Sequence, residues 1–139
     1  MPFFDDSAQL EACLRALFTR IERQNPDASV AVSASRLVIR LKCVDPVGEL
    51  TINGRERPAQ ITYGASTIRP VLNIELAADT LHRIMLGEQS MTKALSSGLL
   101  KVRGPALKAA TLAELFRSGQ KLYPDVLVEQ GLAPGSPES

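Results

Sequence analysis

Between Arg36 and Leu76 the apolar residues recur at every second position, whereas from Ser7 to Gln24 they recur at steps of three and four. This change of period constrains the fold most, because a side chain returns to the same face every two residues in a strand and about every 3.6 in a helix. Leu10, Cys13, Leu14, Leu17, Phe18 and Ile21 therefore share one face of a leading helix, with Asp5, Asp6 or Ser7 available as its cap and Pro26 just past its end. Leu37, Ile39, Leu41 and Cys43 then alternate with Val38, Arg40 and Lys42, and Leu50 and Ile52 alternate with Glu49, Thr51 and Asn53. These read as a half-buried strand pair turned at Asp45-Pro46-Val47-Gly48. A third strand carries Ala59, Ile61 and Tyr63 after a turn at Asn53-Gly54, and a fourth carries Leu72, Ile74 and Leu76.

After the strands, residues 78–86 read as a helix with Asp79 in its first turn and Gly87 where a left-handed stop is wanted. The next stretch, Ser90 to Gly104, reads as a short helix capped by Ser90, a stop at Gly98, one brief strand and a second glycine. In that strand Leu100 and Val102 join the apolar side while Lys101 and Arg103 face solvent. Pro105 suits the first turn of a further helix, where its missing N–H costs nothing. That helix is apolar on several sides: Ala109, Leu112, Ala113 and Phe116 form one stripe, and Leu107, Ala110 and Leu115 widen it. Either neighbouring elements bury all of this surface, or part of it lines a pocket. The order of elements gives an α+β class with helices packed on one side of a mainly antiparallel sheet.

At 139 residues the chain is long enough for one domain that buries roughly 70% of the surface exposed by its unfolded form. The expected domain is 1–132, with 133–139 a small, polar, disordered tail. Sixteen Lys and Arg against fifteen Asp and Glu leave a formal charge of +1, with the cations scattered. Nucleic acid is then a poor partner, since phosphate binding needs concentrated positive charge. The opening residues lack the basic and apolar regions of a signal peptide, and no run approaches the roughly eighteen apolar residues of a membrane span. The expectation is a soluble, cytoplasmic protein without an integral membrane segment.

Chemistry-bearing patterns are sparse. Cys13 and Cys43 have no metal-ligand spacing and read as reduced, buried thiols. His82 stands as the single histidine, with no second metal-ligand type at coordinating spacing, and reads as a surface or packing residue. No Gly-x-Ser-x-Gly, phosphate-binding loop or dinucleotide fingerprint occurs. The residues thus call for no catalytic group, no metal and no cofactor. Met85 and Met91 supply adaptable thioethers of the kind that suit variable apolar shapes.

Residues Asp79-Thr-Leu-His-Arg-Ile-Met-Leu-Gly87, Lys93-Ala-Leu-Ser-Ser-Gly98-Leu-Leu-Lys-Val-Arg-Gly104 and the apolar helix from Leu107 to Phe116 resemble the sterol-binding domain of sterol carrier protein type 2 and its bacterial stand-alone relatives. The resemblance covers roughly Leu10 to Phe116. It implies a five-stranded, mainly antiparallel sheet with helices over one face, enclosing an apolar tunnel for a fatty acyl chain, a sterol-like or an isoprenoid molecule, held without chemistry. By position, Gly87, Gly98 and Gly104 are then structural, and Leu81, Met85, Met91, Leu95, Leu100, Leu112 and Phe116 are the candidate lining. Two departures stand out: Pro70, where an acidic residue usually enters the fourth strand, and Pro105, where an Asp usually follows the glycine. The first affects pairing at the start of that strand, and the second is benign for a helix start. The segment from Arg117 to Leu132 lies where the family varies, so it either caps the tunnel mouth or packs on another subunit. Lipid carriage is the leading functional expectation. The alternative is an accessory docking or dimerisation domain for a partner enzyme, using Leu122 and Val126, and an enzyme turning over a bound lipid through His82 is a weaker third.

Overall fold

A computed structural model describes residues 3–56, 59–105 and 111–132. The leading helix α1 spans Ser7–Gln24, and its buried residues are the six apolar positions read from the spacing. Asp6 caps it by accepting the Gln9 amide at 2.8 Å, while the Gln9 side chain accepts from the Asp5 amide at 2.7 Å. A 3-10 turn, Pro26–Ser29, and a short helix α2, Val30–Ser35, follow it. Neither has a periodic signature in the sequence. They carry the chain to the sheet, with Val32 buried at the junction.

The sheet holds β1 (Val38–Val44), β2 (Gly48–Asn53), β3 (Gln60–Tyr63), β4 (Leu72–Ala77) and β5 (Leu100–Arg103), in the order β3-β2-β1-β4-β5. Three of the neighbouring pairs are antiparallel, and β1 with β4 is parallel. The hairpin at Asp45–Val47 pairs Cys43 with Gly48, as the turn residues anticipate. The parallel pair arises because β4 enters on the far side of β1 from β2. Pro70 does not disturb it: the Val71 amide bonds the Val38 carbonyl at 2.8 Å, and paired positions begin at Leu72 opposite Ile39.

Helices α3 (Ala78–Met85), α4 (Met91–Ser96) and α5 (Ala113–Glu129) complete the chain. The Ser90 hydroxyl caps α4, and Gly98 closes it with φ of +84°. Gly104 is required for two reasons: its φ is +109°, and a Cβ there would lie 2.3 Å from the Val71 carbonyl oxygen. Residues 106–110, which hold Leu107, Ala109 and Ala110 of the expected stripe, lie outside the described residues, as does the tail at 133–139. The described helix begins at Ala113 and runs well past Phe116. The segment from Arg117 onward is the body of α5. Tyr123, Val126 and Leu127 are buried within the chain's own core, so Val126 is not a docking residue on a free surface. Pro124 lies inside this helix and withholds one ladder N–H, but the burial of its neighbours keeps the helix intact.

One continuous core results, shared by the inner face of the sheet, α1, α3 and α5. The observed class is α+β, with a mixed, mainly antiparallel five-stranded sheet.

Candidate functional site

Five of the seven expected lining residues are buried in that core. Leu81 and Met85 come from α3, Leu100 from β5, and Leu112 and Phe116 from the start of α5; none is more than 5% exposed. Helix α3 follows β4 directly and packs on β1 and β4, while α5 packs on both α1 and α3. Met91 is half-buried against this cluster. Leu95 is 41% exposed, because the short α4 turns Ala94 inward instead.

Gly119 on α5 marks the closest approach of the three helices. A Cβ there would meet Met85 Sδ at 3.3 Å, Ile21 Cδ1 at 3.6 Å and Leu17 Cδ2 at 3.7 Å. The missing side chain makes a notch, and the flexible Met85 thioether fills it. On the same face of α5, Leu112, Phe116, Gly119 and Tyr123 succeed each other at helical steps.

At the inner end of this face lies a buried polar group that the sequence reading missed. His82, with no exposed surface, approaches Tyr123, 2% exposed, with Nδ1 and the phenol oxygen 2.7 Å apart. The Cys13 thiol lies near enough to the phenol for each to perturb the other's ionisation. The histidine is a packing residue: Phe3 stacks on it at 3.7 Å between ring centres, and Phe4 meets it edge-on at 5.9 Å. The Phe3 amide donates to Asp79 Oδ1 at 2.9 Å, which ties this cover to α3. The signal that could have found Tyr123 was its helical spacing from Phe116.

Burial pushes the Cys13 thiol up to about 12, an effect partly offset by the neighbouring Tyr123 hydroxyl, and burial alone pushes Cys43 up to about 12. Tyr123 is raised as well, first by burial and then by Cys13. Thiols held this firmly in their neutral form are poor nucleophiles at neutral pH. Among the described residues no group of three or more His, Cys, Asp or Glu side chains is placed to hold a metal ion. No described helix is long and apolar enough to cross a membrane.

Two openings of different character reach the surface of the described residues. The larger, of about 580 Å³, is a polar groove on the outward side of α1, lined by Arg15, Arg20, Arg23 and Glu129 among others. Arg20 pairs with Glu129 across it. The smaller, of about 20 Å³, is a crevice between the end of α1, strands β2 and β3 and the start of α5, with Phe18, Ile21, Ile52, Ile61 and Leu115 as its walls. Neither opening is the expected apolar tunnel: of the two, the second leads to apolar core, but it has room for little more than a water molecule. Asn25 stands at its rim and donates to the Ser118 hydroxyl at 2.7 Å.

The model of the SCP-2 sterol transfer family matches residues 18–117, and the chain belongs to that family. The fold agrees with solved members. Sterol carrier protein 2 from Yarrowia lipolytica, in its apo form, superposes with a TM-score of 0.60 at 14% identity, over 86% of this chain and 95% of that one. The sterol carrier protein domain 2 of Helicoverpa armigera gives 0.57 at 21% identity, over 73% and 80%. A conserved hypothetical protein of Thermus thermophilus, described as possibly a sterol carrier protein, gives 0.53 at 20%, over 97% and 92%. No curated protein matches the sequence. Family membership supports lipid binding or transfer as the general activity.

Proposed function

We propose that the chain binds and carries a hydrophobic, lipid-like ligand in the cytoplasm, without a cofactor and without acting on the ligand chemically. The ligand is a fatty acyl chain, a sterol-like molecule or an isoprenoid. It lies between the inner face of the sheet and helices α3 and α5, against Leu81, Met85, Leu100, Leu112 and Phe116, with Met91 and Leu95 at the rim on α4. The observation that supports this reading is the burial of those five residues in one apolar core, in which Met85 fills the notch left by Gly119 between α1, α3 and α5.

The 20 Å³ crevice is far smaller than such a ligand and none of its walls is among these residues, so binding proceeds by repacking of the core. Protein interiors are close-packed, and the side chains that move most cheaply are flexible ones such as Met85. Apolar contact then supplies roughly 25 cal/mol for each Å² removed from water, with few polar groups to discriminate between chains. Binding raises the melting temperature, since the ligand stabilises the folded state alone. Thermal shift with oleate and a short-chain quinone tests this: wild type gains stability with at least one, and Phe116→Ala loses most of the gain. A flat response from the folded wild type to both would contradict the reading.

One observation favours a second reading, an accessory docking domain: Leu95 and Leu99 are 41% and 47% exposed near each other in sequence. Sedimentation of wild type against Leu99→Asp separates the two, since docking would be lost while lipid binding, which does not use Leu99, persists.

A further inference from the structure

The five buried lining residues are closed off: none is more than 5% exposed, and neither opening among the described residues is lined by any of them. A ligand therefore needs a cover that opens while the rest of the domain stays folded. The segment ahead of α1 has the geometry of one. The Phe3 ring is stacked on His82 of α3, with 3.7 Å between centres and 16° between planes. Phe4, 3% exposed, meets Phe3 edge-on at 5.0 Å and His82 at 5.9 Å. The Phe3 amide donates to Asp79 Oδ1 at 2.9 Å and so fastens the pair to α3. We propose that Phe3 and Phe4 form a strap over the end of the α3–α5 junction, and that its release admits and discharges the ligand. This rests on the lipid-binding reading above.

The strap stands at the head of a continuous path. His82 touches Tyr123 at 2.7 Å, Tyr123 is one turn of α5 from Gly119, and Met85 lies in the Gly119 notch, with Phe116 the next helical step along. On α3, His82 adjoins Leu81 and is three residues from Met85, so lifting the two rings uncovers that helix beside both. The strap is also separable from the helix it precedes. Asp6 accepts the Gln9 amide and the Asp5 amide donates to the Gln9 side chain, so the start of α1 is secured by bonds that do not use Phe3 or Phe4. Residues 3–6 belong to neither a helix nor a strand, so no ladder breaks when the rings move. What is lost is the bond to Asp79 and the aromatic contacts. Moving α1 or α5 instead would expose Leu10, Leu17, Val126 and Leu127, each 1% exposed or less.

Stopped-flow fluorescence of the full chain with cis-parinarate tests the strap, by uptake on mixing and by release of the loaded protein into excess oleate. Asp79→Ala removes the acceptor of the Phe3 amide, and Phe3→Ala removes the stacked ring. A gate sets the barrier in both directions, so each variant should take up and release the probe at least roughly fivefold faster, with Kd changed by less than about twofold. Asp79→Asn, which keeps an acceptor oxygen, should fall between. Rates within about twofold of wild type in both variants would place entry elsewhere, past α4 for example, and overturn the inference. Faster release with unchanged uptake would overturn it too, making the strap a contact of the bound ligand. Amide exchange of the unliganded wild type requires no variant: the Phe3 amide should exchange at least roughly a hundredfold faster than those of Val126 and Leu127. Equal protection would mean that the strap opens only with the whole domain, and would overturn the inference while leaving lipid binding intact. Fast Phe3 exchange in a wild type that takes up no probe would overturn the lipid-binding reading and the gate with it.

Discussion

The two faces of the sheet come from the same strands and have opposite chemistry. Toward the helices, Ile39, Leu41, Cys43, Ile74 and Leu76 are each 3% exposed or less. Away from them, Glu49, Lys42, Glu75 and Lys101 form one row across β2, β1, β4 and β5, alternating in sign, and Arg40 reaches Glu49 at 3.5 Å. Both sets are fixed by one pairing register, and a slip of one residue would send Lys42 into the core and Leu41 into water. The charged face therefore secures the register, and the apolar face, read with the helices, is the side able to hold a ligand.

Breaking the comparison on the inner face should have the largest effect. Ile74→Asp buries a carboxylate without a partner and should cost more than about 4 kcal/mol, enough to unfold the domain in a urea titration. Leu41→Ala, on the same face, creates a cavity and should cost about 2–5 kcal/mol by the same measurement.

A smaller effect comes from pH. The folded thiols of Cys13 and Cys43 titrate at about 12, whereas in the unfolded chain they ionise near the ordinary thiol value of about 8.5. Above that value the unfolded state releases protons that the folded state keeps. Stability contributed by the neutral thiols is thus complete below about pH 8.5 and falls as pH rises toward 12, by on the order of 1 kcal/mol per pH unit for each thiol. Cys43→Ala should make the alkaline decline shallower; an unchanged slope would mean that Cys43 is not shielded. Least affected should be the outer face. Lys101→Glu should change stability by less than about 0.5 kcal/mol, and a larger loss would show that the alternating row contributes more than register.

Much of this comparison was legible in the sequence, because both faces are local patterns. Strict alternation identified the strands, and three-four spacing identified the buried side of α1 with all its residues. What escaped was set by distant partners. The parallel pairing of β1 with β4 depends on which side of the sheet the chain returns to, and no local pattern encodes that. The continuation of α5 past Phe116 also escaped, because the burial of Val126 and Leu127 depends on the rest of the core. His82 looked unremarkable alone, since its burial comes from Phe3, Phe4 and Tyr123, far away in the chain. Leu95 was expected in the lining by its position in the family resemblance, but Ala94 takes the inward position on α4.

The central claim is that the helix-covered face holds an apolar ligand. Native mass spectrometry of the full chain, purified without detergent and then mixed with oleyl alcohol, tests it most directly. The account predicts a bound mass, either carried through purification or acquired from the added alcohol at a ratio of one per chain. A folded protein that stays empty in both conditions would contradict it.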